Sequence, residues 1–181
     1  MSLSHAILTC LVETPQSGYD LSKIFGESVG YFWHASQQQI YRELGKMEKQ
    51  GYVRSEVIPR QGRLDKKNYS ITEAGKEYLI EWMQQPSEPD IIREDILVKV
   101  FSGNLVADQV LITDIENRHK THSQKLLEYR KVEQEKFLKT QELSKSEKLK
   151  YLVLKAGIRY EISFIGWCNE ALEILRNTVD N

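Results

Sequence analysis

Apolar residues recur along the first fifty positions with helical spacing. Leu3, Ile7, Leu8, Leu11 and Val12 share one face and predict a helix over 3–13. Pro15 closes it, because a proline pushes the residue before it away from helical angles. SGYD at 17–20 has the form of a helix start, and Leu21, Ile24 and Phe25 supply the stripe of a second helix. Tyr31, Phe32 and Trp33 crowd the connector that follows, which implies packing beneath it. Ser36 with Gln39 three residues on is a capping-box signature. Ile40, Leu44 and Met47 then fall at i, i+4 and i+7, and Gly51 is the stop of this third helix.

After Gly51 the period changes to two. Tyr52, Val53, Val57 and Ile58 read as a strand broken by Pro59. Gly62 frees a turn, and 66–71 is the return strand, with Tyr69 and Ile71 on one face. Thr72 caps a helix over 73–85 that carries Leu79, Trp82 and Met83. Three helices, a hairpin and a helix make the order of a winged helix-turn-helix.

Residues 86–90, PSEPD, form the clear linker and divide the chain into 1–85 and 91–181. Beyond it every segment is helical. Ile92, Ile96 and Val100 mark a helix over 91–101, with Gly103 as its stop. Two long helices follow, over 107–139 and from Ser144 or Ser146 to about 178, well beyond the ~12-residue average. In the first, Ile112, Ile115, His119, His122, Leu126 and Tyr129 alternate by three and four, a narrow seam. The last is apolar on two sides. Leu149, Val153, Ala156, Tyr160, Phe164, Trp167, Ala171 and Leu175 make one stripe; Leu154, Ile158, Ile162, Ile165 and Leu172 make the other. One narrow neighbour cannot cover both, so a second copy of the chain is expected on the other side. The expected dimer interface is Ile112, Ile115, Leu126, Leu149, Val153, Tyr160, Phe164, Trp167 and Leu172. The fold class is therefore mainly α: an N-terminal winged helix-turn-helix with an α+β wing, then an all-helical C-terminal dimerisation domain of long coiled-coil-like helices.

Charge changes this picture only locally. The formal net charge is −1, which gives no vote for nucleic acid. The hairpin, however, gathers Arg54, Arg60, Arg63, Lys66 and Lys67 against Glu56 and Asp65. Beside it, the third helix turns Gln38, Arg42, Lys46 and Lys49 away from its apolar stripe, with Ser36, Gln37 and Gln39 at its start. Gln pairs with adenine, Arg with guanine, and Lys neutralises phosphate. Alone, that face is an ordinary solvated surface. After a three-helix module and before a basic hairpin, it reads as a DNA-recognition surface, with Gln39 shared with the cap. A winged-helix protein–protein adaptor is the alternative, since such modules use the same face for partners.

Other chemistry is sparse. Cys10 and Cys168 lie far apart on apolar faces and read as core filler. His5, His34, His119 and His122 form no catalytic pattern with acids, so no enzyme, metal or cofactor is expected. His119 and His122 read as polar seam positions, with pH sensitivity as their functional alternative. Trp33, Trp82, Tyr160 and Trp167 could line a pocket for a small aromatic effector, although aromatics at helical spacing are more often core. No signal peptide and no run of ~18 apolar residues is present, so a cytoplasmic protein without a membrane partner is expected.

SGYDL (17–21), QIYRELGKMEKQGYV (39–53) and YSITEAGKEYL (69–79) resemble the PadR family of transcriptional regulators in order and spacing. LVKVFSGNL (97–105) and RYEISFIGWCNEAL (159–172) resemble its longer-tailed branch, which includes a virulence activator. The resemblance implies a cytoplasmic homodimer on a two-fold symmetric DNA operator, with repression the expected mode. It maps the DNA-contacting helix to 36–50 and the wing to 58–67. Tyr19 and Tyr41 occupy the tyrosines of the family's GY and IY signatures, where contact to the DNA backbone or to the module's core is expected. Many members place small residues and a proline around the second signature. Here three glutamines and Arg42 stand instead, so the operator sequence does not transfer from a relative.

Overall fold

The computed structural model of the chain describes residues 3–27, 33–59, 65–88 and 93–179. It forms two units, Met1–Pro89 and Asp90–Asn181.

The first unit begins with α1 (Leu3–Leu11), two residues shorter than its periodicity predicts. Its apolar face lies in the core, with Ile7 and Leu8 fully buried. Next come β1 (Gln16–Ser17) and α2 (Gly18–Glu27). Ser17 caps α2: its hydroxyl accepts from the Asp20 amide at 3.2 Å, and Asp20 accepts from the Ser17 amide at 3.3 Å. The recognition-type helix α3 (Gln37–Lys49) starts from the capping box at Ser36 and Gln39. It ends at Gly51, whose φ of 77° favours glycine.

Strands β2 (Val53–Ile58) and β3 (Lys66–Ile71) pair antiparallel, from Val53 opposite Ile71 to Ile58 opposite Lys66. The strand the sequence did not announce is β1. It pairs with β3, Gln16 opposite Tyr69 and Ser17 opposite Asn68, so the order is β1-β3-β2. Thr72 caps α4 (Glu73–Met83) by accepting from the Gly75 amide at 3.1 Å. Ile7, Leu8 and Leu11 of α1, Leu21 and Phe25 of α2, Ile40, Leu44 and Met47 of α3, Val53, Tyr69 and Leu79 make one core. His5 is buried at its edge, stacked on Tyr78 and Trp82 with ring centroids 4.8 and 4.5 Å apart.

The second unit has α5 (Asp95–Phe101), a 3-10 turn (Gly103–Leu105), α6 (Asp108–Lys136) and α7 (Lys145–Val179). Helix α5 starts later than its pattern predicts: Glu94 is extended, and Ile91 and Ile92 lie outside the described residues. The 29 residues of α6 and the 35 of α7 form an antiparallel pair. Arg176 bonds Glu116 at 2.6 Å near one end, and Tyr151 bonds Glu133 at 2.9 Å near the other. Leu154, Ile158, Glu161, Cys168 and Leu172 of α7 are buried, with steps of three, four or seven. The predicted seam of α6 meets this stripe. Ile112, Ile115, His122 and Tyr129 are buried there, and His119 and Leu126 are half-buried. No described helix is long and apolar enough to cross a membrane.

Candidate nucleic-acid interface

Helix α3 buries Ile40, Leu44 and Met47, and this fixes what it can present outward. Gln37, Gln38, Arg42, Lys46 and Lys49 are exposed on its other side. Among the described residues, Gln37, Gln38 and Arg42 make no ion pair or side-chain hydrogen bond within the chain. Lys46 is 3.8 Å from Glu43, a loose surface contact. Ser36 and Gln39 are engaged with each other: the Gln39 amide donates to the Ser36 hydroxyl at 3.2 Å, and the Ser36 amide donates to the Gln39 side chain at 2.8 Å. Ser36 and Gln39 therefore set the start of the helix, while Gln37, Gln38 and Arg42 have no such bond among the described residues.

The two signature tyrosines sit at the junction of α2 and α3. The ring of Tyr41 packs over Gly18 so tightly that a β-carbon at that glycine would overlap it, yet Tyr41 remains 44% exposed. It is thus part of the packing and of the surface at once. Tyr19 is more open, with the Lys23 ammonium 5.3 Å above its ring.

On the wing, Arg60 and Arg63 lie outside the described residues. Lys66 and Lys67 are engaged inside the unit rather than free. Lys66 Nζ is 2.6 Å from Asp20 Oδ2, and Lys67 Nζ is 2.9 Å from Glu48 Oε2 and 5.1 Å above the Tyr69 ring. Glu48 also accepts from the Ser55 hydroxyl. The electrostatics follow these contacts. Lys66, then Ser17, hold the Asp20 carboxyl down at about 2. Ser55, then Lys67, lower Glu48, and Glu48 raises Lys67. Sequence reasoning passed over Asp20 and Glu48, because an acidic residue in a basic neighbourhood carries no label for its partner.

The residues assigned to a dimer interface divide into three groups. Ile112, Ile115 and Leu172 are buried within their own unit, where Ile96 of α5 joins them. Leu126, Phe164 and Trp167 are half-buried. Leu149, Val153 and Tyr160 are open on the outer side of α7, with Leu152 and Ile162 beside them. A second apolar patch was missed. Val98, Phe101, Leu105, Val106 and Val110 are exposed, and Phe101 is 92% so. The signal was present in DILVKVF (95–101), whose apolar residues spread over more than half of the helix and cannot all be buried on one neighbour.

Two histidines separate in the same way. His122 lies in the seam, 2.5 Å from Glu161 and stacked on Phe164 at 4.2 Å, while His119 is half-buried. The four aromatics expected of an effector pocket are all engaged locally. Trp33 and Trp82 pack on the first core and Trp167 on the second, and the Tyr160 hydroxyl donates to Glu94 at 3.0 Å.

Residues 7–81 match the model of the transcriptional regulator PadR-like family, and residues 92–176 match that of the virulence activator alpha C-terminal region. A probable transcriptional regulator of Mycobacterium tuberculosis, Rv1176c, is 37% identical over 97% of this chain and 98% of its own. The Vibrio cholerae virulence activator AphA is similar in structure, with a TM-score of 0.79 and 31% identity over 98% of this chain and 99% of that one. Bacillus subtilis PadR, solved in complex with operator DNA, gives a TM-score of 0.81 and 26% identity over 96% of this chain and 98% of that one.

Proposed function

The chain belongs to the PadR-like family of transcriptional regulators, and from that premise we propose that it reads DNA as a homodimer. The observation that carries this reading is the outer face of α3. Gln37, Gln38 and Arg42 stand free and exposed at the start of a capped, well-buried helix. These are the residue types that pair with base edges, and the first turns of a recognition helix are the part that reaches them. Lys46 and Lys49 lie further along the same exposed side, where the phosphate backbone passes. Tyr19 and Tyr41 flank it at the α2–α3 junction. Arg60 and Arg63, which fall between β2 and β3 in sequence, are residue types suited to the backbone or the minor groove.

The dimer follows from the apolar surface of the second unit. Leu149, Val153, Tyr160 and Ile162 on α7, with Val98, Phe101 and Leu105 on and after α5, are more exposed apolar area than a lone unit carries without cost. A second copy covers it by a two-fold interface and sets two α3 helices about one turn of DNA apart, ~34 Å. Bound across an operator in the cytoplasm, such a dimer occludes a promoter, so repression is the proposed mode.

Mobility shifts on DNA selected by the full-length protein test the contacts. Arg42→Ala and Gln38→Ala should each lose ~1–3 kcal/mol of discrimination between the selected site and a scrambled one. Retention of full discrimination by both variants would remove α3 from base reading.

A further inference from the structure

Two adjacent wing lysines are engaged by carboxylates of two different helices. Lys66 and Lys67 follow one another on β3, so their side chains leave opposite faces of the strand. Lys66 reaches Asp20 in the first turn of α2, at 2.6 Å. Asp20 is itself held by Ser17, whose hydroxyl donates to it at 2.7 Å and whose backbone pairs with Asn68 of the same β3. Lys67 reaches Glu48, in the last turn of α3, at 2.9 Å. The same carboxylate takes the Ser55 hydroxyl from β2. One acid therefore ties both wing strands to the end of α3, and another ties β3 to the start of α2.

We propose that Lys66 and Lys67 are positioning residues, which fix the angle of the wing against α3, and that neither supplies a phosphate contact. This rests on the DNA reading above. A lysine lends a free charge to phosphate only if nothing nearer neutralises it, and counterion release counts the phosphates so neutralised. Here each ammonium already has a carboxylate within 3 Å. What the pairs provide instead is geometry. The wing and the recognition helix must meet DNA together, and the two carboxylates tie β3 to α2 and α3 beyond the strand pairing and the core.

The test compares wild-type, Lys67→Met, Glu48→Gln, Asp20→Asn and the swapped pair Glu48→Lys/Lys67→Glu. The probe is a duplex selected from a random pool by the wild-type protein, titrated by fluorescence anisotropy over a range of salt. Stoichiometric titration fixes the active fraction of each protein. Each single variant is expected to bind roughly five-fold more weakly, with the slope of log K against log salt unchanged. The swapped pair is expected to recover most of the loss. If Lys67 met a phosphate, Lys67→Met would flatten the slope by about one, Glu48→Gln would tighten binding, and the swap would not rescue; any of these overturns the assignment. Should Lys67→Met not fold, Glu48→Gln and Asp20→Asn decide by the same two readouts. Absence of wild-type binding to any duplex would overturn the DNA reading itself.

Discussion

Gly75 lies against the main chain of Tyr52 so closely that a β-carbon there would overlap the Tyr52 carbonyl oxygen. That carbonyl also accepts from the Thr72 amide at 3.1 Å and the Thr72 hydroxyl at 3.1 Å. The first turn of α4 is thus seated on the start of the wing, and only glycine permits the approach. Main chain cannot rotate away as a side-chain tip can. Gly75→Ala is expected to destabilise the protein by ~1–3 kcal/mol, as overpacking does. Thermal melting checks it; an unchanged midpoint would show that α4 and the wing are not held this closely.

The capping box at Ser36 is a second place where one atom has a measurable effect. Ser36→Ala removes the hydroxyl acceptor for the Gln39 amide, while the backbone amide at 36 still donates to the Gln39 side chain. The expected cost is ~1 kcal/mol, with Ser36→Asp close to neutral. Urea denaturation of the three proteins measures it, and equal stability of the alanine and serine forms would contradict it.

What the sequence made legible was local. The caps at Ser36 and Thr72, the stop at Gly51 and the return strand from Lys66 depend on residues within a few positions of each other. The two residues of β1 have no period to read, and their pairing with Asn68 and Tyr69 spans half the first unit. The ties between Asp20 and Lys66 and between Glu48 and Lys67 were closed for the same reason: charge shows polarity, not partner. In the second unit, periodicity told which face of α6 is buried but not by which chain. Ile112, Ile115 and Leu172 went to their own α7 and α5, and Glu161 entered an apolar seam because His122 is there to meet it.

Phe101 offers the sharpest probe of the second copy. At 92% exposure it contributes nothing to the fold of its own unit. Phe101→Asp should leave the melting of the isolated chain unaltered and weaken self-association by ~2 kcal/mol or more if it anchors the interface. Sedimentation equilibrium resolves this. A dimer constant unmoved by the substitution would place the interface elsewhere.

His5 gives the first unit a pH dependence with a definite sign. Burial, then the charge of the chain's N-terminus, lowers its pKa below the ordinary 6.5. The folded state therefore binds fewer protons than the unfolded one between the lowered value and 6.5. Stability from this site is complete above 6.5 and declines as pH falls from 6.5 through the lowered value. His5→Phe, which keeps a ring between Tyr78 and Trp82, should flatten the dependence between about pH 5 and 7. An equally steep profile in the variant would assign the titration to another group.

The central claim is that two copies of α3 read one two-fold DNA site. Sequencing genomic fragments captured by the full-length protein, in parallel with Arg42→Ala, tests it most directly. The predicted result is an enriched inverted repeat whose half-sites are centred ~10 base pairs, or a multiple, apart, and which the variant no longer enriches. Enrichment of a lone half-site would contradict the dimer. Equal enrichment by Arg42→Ala, or no enriched sequence at low salt, would contradict the reading of α3.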